Sequence, residues 1–198
     1  MKRLRFILLW IVVFSIICGC LGKSPQILSD NKEKIQPNII AVLPVANKNP
    51  DGKSSQLFRA RLIEELYFKG YSRLSLEMID KKLESLYLNS DNKNVSDVNP
   101  QALKDLLGAD SGMYCTLSED NKSKKLFYEP IKISVRCELR SAQTGEIIWN
   151  AQSESTERNF DFTNKGLEKK SHESLETVID EVVNKILKTL PDGPNLRD

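Results

Sequence analysis

A single histidine, His172, serves all 198 residues. It sits in the highly charged stretch "EKKSHESLE", where a solvated surface histidine is the default. With no second imidazole, a zinc site would have to draw on cysteines and a carboxylate whose spacing matches no ligand pattern. A serine triad would also need His172, yet the chain has no G-x-S-x-G elbow to present a strained nucleophile. It has neither G-x-G-x-x-G nor G-x-x-x-x-G-K-[ST], so no backbone cradle for a phosphate is evident. Acidic pairs such as Glu64 with Glu65 and Asp180 with Glu181 are adjacent in sequence. Adjacent positions on a helix do not face one another, so solvation explains these pairs better than acid and base chemistry. No catalytic, cofactor or metal residue is therefore assigned, and the expectation is a protein that is not an enzyme.

Long hydrophobic runs are also scarce. The one conspicuous run, "FILLWIVVFSII" from Phe6 to Ile17, has 12 residues, against the roughly 20 that span a bilayer as a helix. Preceded by Lys2, Arg3 and Arg5, it predicts the core of a signal peptide over residues 1–19. The alternative is an uncleaved N-terminal anchor. Two of the chain's four cysteines follow at once, in Ile17-Cys18-Gly19-Cys20. This resembles a bacterial lipobox, which makes Cys20 the lipidated first residue and removes Cys18 with the leader. A terminal cysteine can carry a diacylglyceryl group on its thiol and an acyl chain on its amine. One acyl chain holds a protein marginally at about 0.8 kcal/mol per buried methylene, whereas several anchor it stably. Leu21 after the cysteine, by resemblance to Gram-negative envelope lipoproteins, points to the outer membrane and a periplasm-facing domain.

An excess of charge of either sign is absent from the mature chain. Removing residues 1–19 leaves 26 basic against 27 acidic residues, a balance of −1, which gives no global argument for nucleic-acid binding. Lys122, Lys124, Lys125, Lys169 and Lys170 fit a solvated loop and helix face. Residues 20–36, polar and punctuated by proline, form the lipidated cysteine and tether, with a typical span of about 20 to 25 Å if flexible. Residues 37–190 are long enough for one compact domain, and 191–198 form a tail.

Within that domain, "NIIAVLPVAN" predicts a buried strand over Asn38 to Val45. Ser54 or Ser55 can cap a helix running to a stop at Gly70. "YSRLSLEMI" predicts a second strand, followed by a short helix in "DKKLESLYL". "NPQALKDLLGAD" predicts a helix capped by Asn99, with Pro100 at its first position and Gly108 just beyond its end. Three further strands are expected. Met113, Cys115 and Leu117 share a face of the first; Ile131, Ile133, Val135, Cys137 and Leu139 alternate with polar residues in the second; Ile147, Trp149 and Ala151 share a face of the third. The final helix, in "LETVIDEVVNKILKTLP", carries an apolar stripe that predicts packing across the sheet, or else a partner-binding face. The expected fold class is α/β (α+β), a single domain with a mixed sheet of about five strands flanked by helices.

Cys115 and Cys137 fall on the apolar faces of neighbouring strands and nearly opposite each other. In an oxidising compartment they can pair, contributing on the order of 3 kcal/mol; otherwise they serve as two small buried apolar residues.

Three segments carry a family resemblance: "IIAVLPVANKNPD", "LGADSGMYCTL" and "ELRSAQTGEIIWNA". With the lipobox they resemble envelope lipoproteins of unknown function typified by a neisserial genome-derived antigen. More distantly they are similar to the N-terminal domain of the Tol translocation protein, curli-secretion lipoproteins and outer-membrane activators of peptidoglycan synthases. Such proteins usually carry an aspartate two residues after the leucine that ends the penultimate strand, where this chain has Ser141. The resemblance implies a mixed sheet flanked by helices and no catalytic residues.

The expected function is that of an interaction or accessory component of cell-envelope assembly or transport. Its partners are membrane lipid through Cys20 and either an unidentified envelope protein or a second copy. The expected contact surfaces are Asn89 to Val98, the loop from Glu119 to Glu129, and exposed parts of the last helix. Regulation of a peptidoglycan synthase is a rival, weakened for an inner-membrane target by a tether reaching only about 50 Å fully extended. A secretion channel would need long amphipathic strands, of which "IKISVRCEL" is one. A cell-wall or lipid hydrolase is the remaining alternative, with no residue pointing to it.

Overall fold

The computed structural model describes residues 36–47, 52–87, 98–120 and 127–196. The expected leader, Cys20 and nearly all of the tether lie outside the described residues, as do residues 89–97 and the loop tip 121–126. The elements are β1 (Ile40–Val42), β2 (Ala46–Asn47), α1 (Lys53–Phe68), α2 (Leu76–Tyr87), α3 (Pro100–Leu107), β3 (Ser111–Asp120), β4 (Tyr128–Ser141), β5 (Ile147–Phe160) and α4 (Asn164–Leu187). They form one mixed sheet in the order β1-β3-β4-β5, with β2 also beside β3. β1 and β2 run parallel to β3, and β3, β4 and β5 are antiparallel neighbours. The mixed five-stranded sheet flanked by helices is the expected architecture.

Apolar alternation builds the larger core. Ile133, Val135, Cys137 and Leu139 of β4 join Met113 and Leu117 of β3 beneath α1 and α4, which contribute Phe58, Leu62, Val178, Ile179, Val182 and Ile186. The stripe of α4 is thus covered by the sheet and α1. On the opposite face, over β1 and β3, Ala41, Leu43 and Tyr114 pack with Ile79 and Leu83 of α2 and Leu103 of α3. The outward face of β4 carries Lys132, Ser134, Arg136 and Glu138, partly or fully exposed.

α3 follows its sequence signals. The Asn99 side chain accepts the Gln101 N–H at 3.0 Å, Pro100 opens the helix, and Gly108 closes it at φ 64°, a left-handed turn that glycine adopts without a Cβ penalty. Asp110 then accepts the N–H groups of Asn38 and Ile39 at 3.0 and 2.9 Å. The Gly-Ala-Asp segment thereby ties the start of β3 to the start of β1. At the β4–β5 turn, Ser141 Oγ accepts the N–H groups of Gln143 and Thr144, each at 3.2 Å, so a hydroxyl holds this turn.

Four local expectations are corrected. The strand expected over Asn38 to Val45 is interrupted after Val42 and resumes as β2, because Pro44 has no N–H to give the ladder. "YSRLSLEMI" is not a strand: Ser72 makes only an isolated bridge to Ile39, and α2 starts at Leu76. Ser75 accepts the Met78 N–H at 3.3 Å at its start, and Ile79 and Leu83, four apart, bury one face. α1 is capped by Gly52 at φ 58° and not by Ser54 or Ser55; both serines are buried inside its first turn. Ile147 does not share a buried face with Trp149, since a register shift between Leu139 and Arg140 pairs Arg140 with Ile147 and leaves Ile147 51% exposed.

Candidate interaction surface

Among the described residues no group of three or more His, Cys, Asp or Glu side chains could hold a metal ion. His172 lies inside α4, exposed, with its ring against the Lys53 ammonium. Cys115 and Cys137 are directly paired across β3 and β4. Their sulfurs are joined in the structure, with the Cα atoms 4.2 Å apart, and both residues are buried in the larger core. Nothing reactive is left exposed there.

Register divides the sheet into two ends. At one end, Ile40 pairs with Ser111, Ser111 with Ser141 and Arg140 with Ile147. The described chain enters here: Gln36 donates to the Asp192 carbonyl, and the Asn195 side chain bonds Ser72 at 3.2 Å and also reaches Asn38. Tyr71 donates its hydroxyl to the Pro191 carbonyl at 2.7 Å. Burial pushes its phenol pKa upward, with Asp192 adding to the effect.

At the other end, Tyr128 pairs with Phe160 and Asp120 with Lys132. Here lie two aromatic pairs: Tyr128 and Phe160 have ring centroids 4.8 Å apart, and Phe127 and Phe162 are 6.2 Å apart. Phe127, Phe160 and Phe162 are 49%, 61% and 92% exposed. The turn that presents them is fixed from below. Asp161 accepts the Thr163 N–H at 2.9 Å and its hydroxyl at 3.0 Å, pairs with Lys170 at 3.0 Å, and Thr163 caps α4 by accepting the Gly166 N–H at 3.1 Å. The Thr163 N–H first, then Lys170 and the Thr163 hydroxyl, lower the Asp161 carboxyl to about 2.

Between the ends, the open face of β4 and β5 is a lattice of mutually paired polar groups. Lys132 meets Glu154 at 3.1 Å, Arg136 meets Gln152 at 3.0 Å, and Arg140 meets Glu138 at 2.7 Å while its guanidinium lies 4.6 Å from the Tyr114 ring centroid. Two of its three named cations meet carboxylates, and Arg136 meets a neutral amide. The buried side of β5 is fastened to α4 through Ser155 to Glu181 and Asn159 to Ser174 at 2.7 Å, and Trp149 donates to Thr189, just past the helix, at 3.2 Å. Lys185 and then Ser155 draw the Glu181 carboxyl below its ordinary range.

Sequence reasoning placed one expected surface here in part. The loop from Glu119 to Glu129 contributes Phe127 and Tyr128, but no local pattern joins them to Phe160 and Phe162, more than thirty positions away. Of the Asn89 to Val98 segment only Val98 is described; it is buried, and its carbonyl accepts the Tyr114 hydroxyl at 2.7 Å. Arg59 was missed. Buried in α1, it donates twice to the Val42 carbonyl, at 3.1 and 2.9 Å, and pairs with Asp80 at 2.7 Å, tying β1 to α2.

The family model for GNA1162-like lipoproteins matches residues 29–195. The chain belongs to the GNA1162-like lipoprotein family. Consistent with that membership, it is 23% identical over 170 residues to the lipoprotein NMB1124/NMB1162 of Neisseria meningitidis serogroup B, covering 86% of this chain and 75% of that one. The crystal structure of lipoprotein GNA1162 from Neisseria meningitidis superposes with a TM-score of 0.53 at 20% identity, covering 72% of this chain and 98% of that one. PelC from Paraburkholderia phytofirmans, solved as a dodecamer, gives a TM-score of 0.51 at 13% identity, covering 81% and 89%. At these identities the structural likeness is one of fold. Among the described residues of this GNA1162-like chain, no helix is long and apolar enough to cross a membrane.

Proposed function

We propose that this chain is a non-enzymatic lipoprotein, anchored through Cys20 in the outer membrane and facing the periplasm, that acts as an interaction or accessory component in assembly or transport of envelope material. Membership of a lipoprotein family supports the anchor, together with the lipobox-like Ile17-Cys18-Gly19-Cys20. The observation that carries the interaction role is the set of exposed rings of Phe127, Phe160 and Phe162, with the half-buried Tyr128 against Phe160, on a hydrogen-bonded turn at the end of the sheet remote from chain entry. Exposed aromatic side chains on a fixed frame suit a protein contact, since they bring large apolar area at low conformational cost.

Photocrosslinking in cells with a photoreactive residue at positions 127, 160 and 162, and at exposed positions of α4, tests the assignment. A single envelope protein captured from the aromatic positions and not from α4 supports it. Uniform capture from all positions, or none from any, removes the basis for this surface.

A second reading is self-association, supported by a fold shared with a protein solved as a dodecamer. It predicts crosslinks between copies from the same positions and a mass several times 22.5 kDa in detergent. A monomer in native mass measurements, with no crosslinks between copies, overturns it.

A further inference from the structure

We infer that the end of the domain at which the chain enters lies on the bilayer that holds Cys20, with Tyr67, Phe68 and Leu196 in the lipid interface. This inference rests on the lipidation proposed above.

Of the nine large apolar side chains exposed among the described residues, five belong to that end: Tyr67, Phe68, Leu196, Ile147 and Ile148. Tyr67 and Phe68 are the last residues of α1, with ring centroids 5.9 Å apart. The parallel bridge between Ser72 and Ile39 sets this end of α1 beside the start of β1. Leu196 is brought to them by the C-terminal residues, which fold back on the α1 stop. The Gly193 N–H donates to the Lys69 carbonyl at 2.6 Å and the Asn195 N–H to the Gly70 carbonyl at 3.0 Å. The approach is close enough that a Cβ on Gly70, at φ 87°, would stand 2.3 Å from the Leu196 nitrogen. Phe68, Tyr71, Arg73 and Leu196 thus border one shallow depression.

The occupant follows from where the tether ends. Gln36 sits against Asp192, immediately before Gly193. The 15 residues between Cys20 and Gln36 give a typical span of about 20 Å if flexible. β4 alone is 14 residues long, about 45 Å at the usual rise of a strand. A lipid at Cys20 therefore holds the Tyr67 and Phe68 end nearer the membrane on average than the far end of β4, and tethering raises the effective concentration of the patch at the surface. Tyrosine and phenylalanine beside the exposed Arg73 is a composition suited to the headgroup boundary, where aromatic rings settle and cations reach phosphates. The aromatic cluster at Phe162 is directed away from the membrane by the same geometry.

The test uses full-length protein purified from the envelope and reconstituted in vesicles of phosphatidylethanolamine and phosphatidylglycerol. A nitroxide is placed through Phe68→Cys or, separately, through Phe162→Cys. Oxygen and a nickel chelate report depth by collision. The expected result is severalfold greater oxygen relative to nickel access at position 68 than at 162. Adding Tyr67→Ser with Leu196→Ser should move position 68 toward aqueous access while the protein still floats with the vesicles. Equal aqueous access at both positions, in protein whose N-terminal peptide carries its lipid by mass spectrometry, overturns the docking and leaves the anchor intact. An N-terminal peptide without lipid, in protein that fails to float, overturns the anchor and the docking with it. Dipolar broadening between copies at position 68 would assign the patch to a second chain and also overturn the proposal.

Discussion

Single side chains fix the two ends of this domain by hydrogen bonds that the sequence does not announce. Asp161 is a carboxylate with three donors, and its carboxyl is lowered to about 2. In the unfolded chain an aspartate titrates near 3.9. A group depressed in the folded state contributes stability above its unfolded pKa and loses it as pH falls through the folded value. The Asp161 contribution is therefore complete above about pH 5, falls as pH drops toward its folded value and is gone by about pH 1. Asp161→Asn should lower the urea midpoint at pH 6, and the difference from wild type should narrow as both are titrated to pH 2. A gap that stays constant with pH would assign the effect to packing. At the opposite end, Tyr71 donates to Pro191 from a buried position. Tyr71→Phe keeps the ring and removes the donor, so a loss of about 1 kcal/mol by chemical denaturation is expected. No loss would mean that water replaces the hydroxyl.

At the scale of elements, the β3–β4 hairpin is the unit that organises the rest. Its strict alternation puts Ile133, Val135 and Leu139 inside, and the same alternation makes Cys115 and Cys137 direct partners. The bond closes a separation of 22 residues, for which the chain-entropy model gives about 3 kcal/mol. Reduction, or Cys115→Ala with Cys137→Ala, should lower stability by roughly that amount. Intact protein isolated under thiol-blocking conditions should take up no alkylating agent at either position; modification of both would show two free thiols. Helix α3 and this hairpin were legible in the sequence because their signals are local and mutually consistent: a capping asparagine, proline at the first position, glycine at the end, and an unbroken period of two. "YSRLSLEMI" was misread because a short mixed apolar run fits either period. What settled it was burial of Ile79 and Leu83 against Ala41 and Leu43, residues far away in sequence.

For the whole molecule, the C-terminal residues behave as part of the domain and not as an appendage. Residues 191–196 bond Tyr71, Lys69, Gly70, Asn38 and Ser72. A chain ending at Leu190 should unfold at lower urea by about 1 to 3 kcal/mol, the scale of one or two buried hydrogen bonds. An unchanged midpoint would show that these contacts contribute nothing. The two ends of the sheet then have distinct surroundings. One receives the tether and carries Tyr67, Phe68 and Leu196; the other carries Phe127, Phe160 and Phe162. Crosslinking at the far end and depth measurement at the near end test these two assignments separately.

Sequence alone determined those properties of the chain that are written in runs of neighbours. The short apolar segment with its basic flank and Cys20 predicts an address, the alternation from Ile131 to Leu139 a half-buried strand, and the stripe of α4 a helix that needs cover. Each depends on periodicity within a few turns or one strand, where chain connectivity fixes which side chains share a face. Tertiary structure alone decided what those faces meet. It gathered Phe127 with Phe162 and Tyr128 with Phe160, folded Leu196 back to Phe68, and buried Arg59 against the Val42 carbonyl. The physical reason is that such contacts depend on strand order, register and the return path of the last helix. Many non-local burials set these together, and no single stretch of residues encodes them.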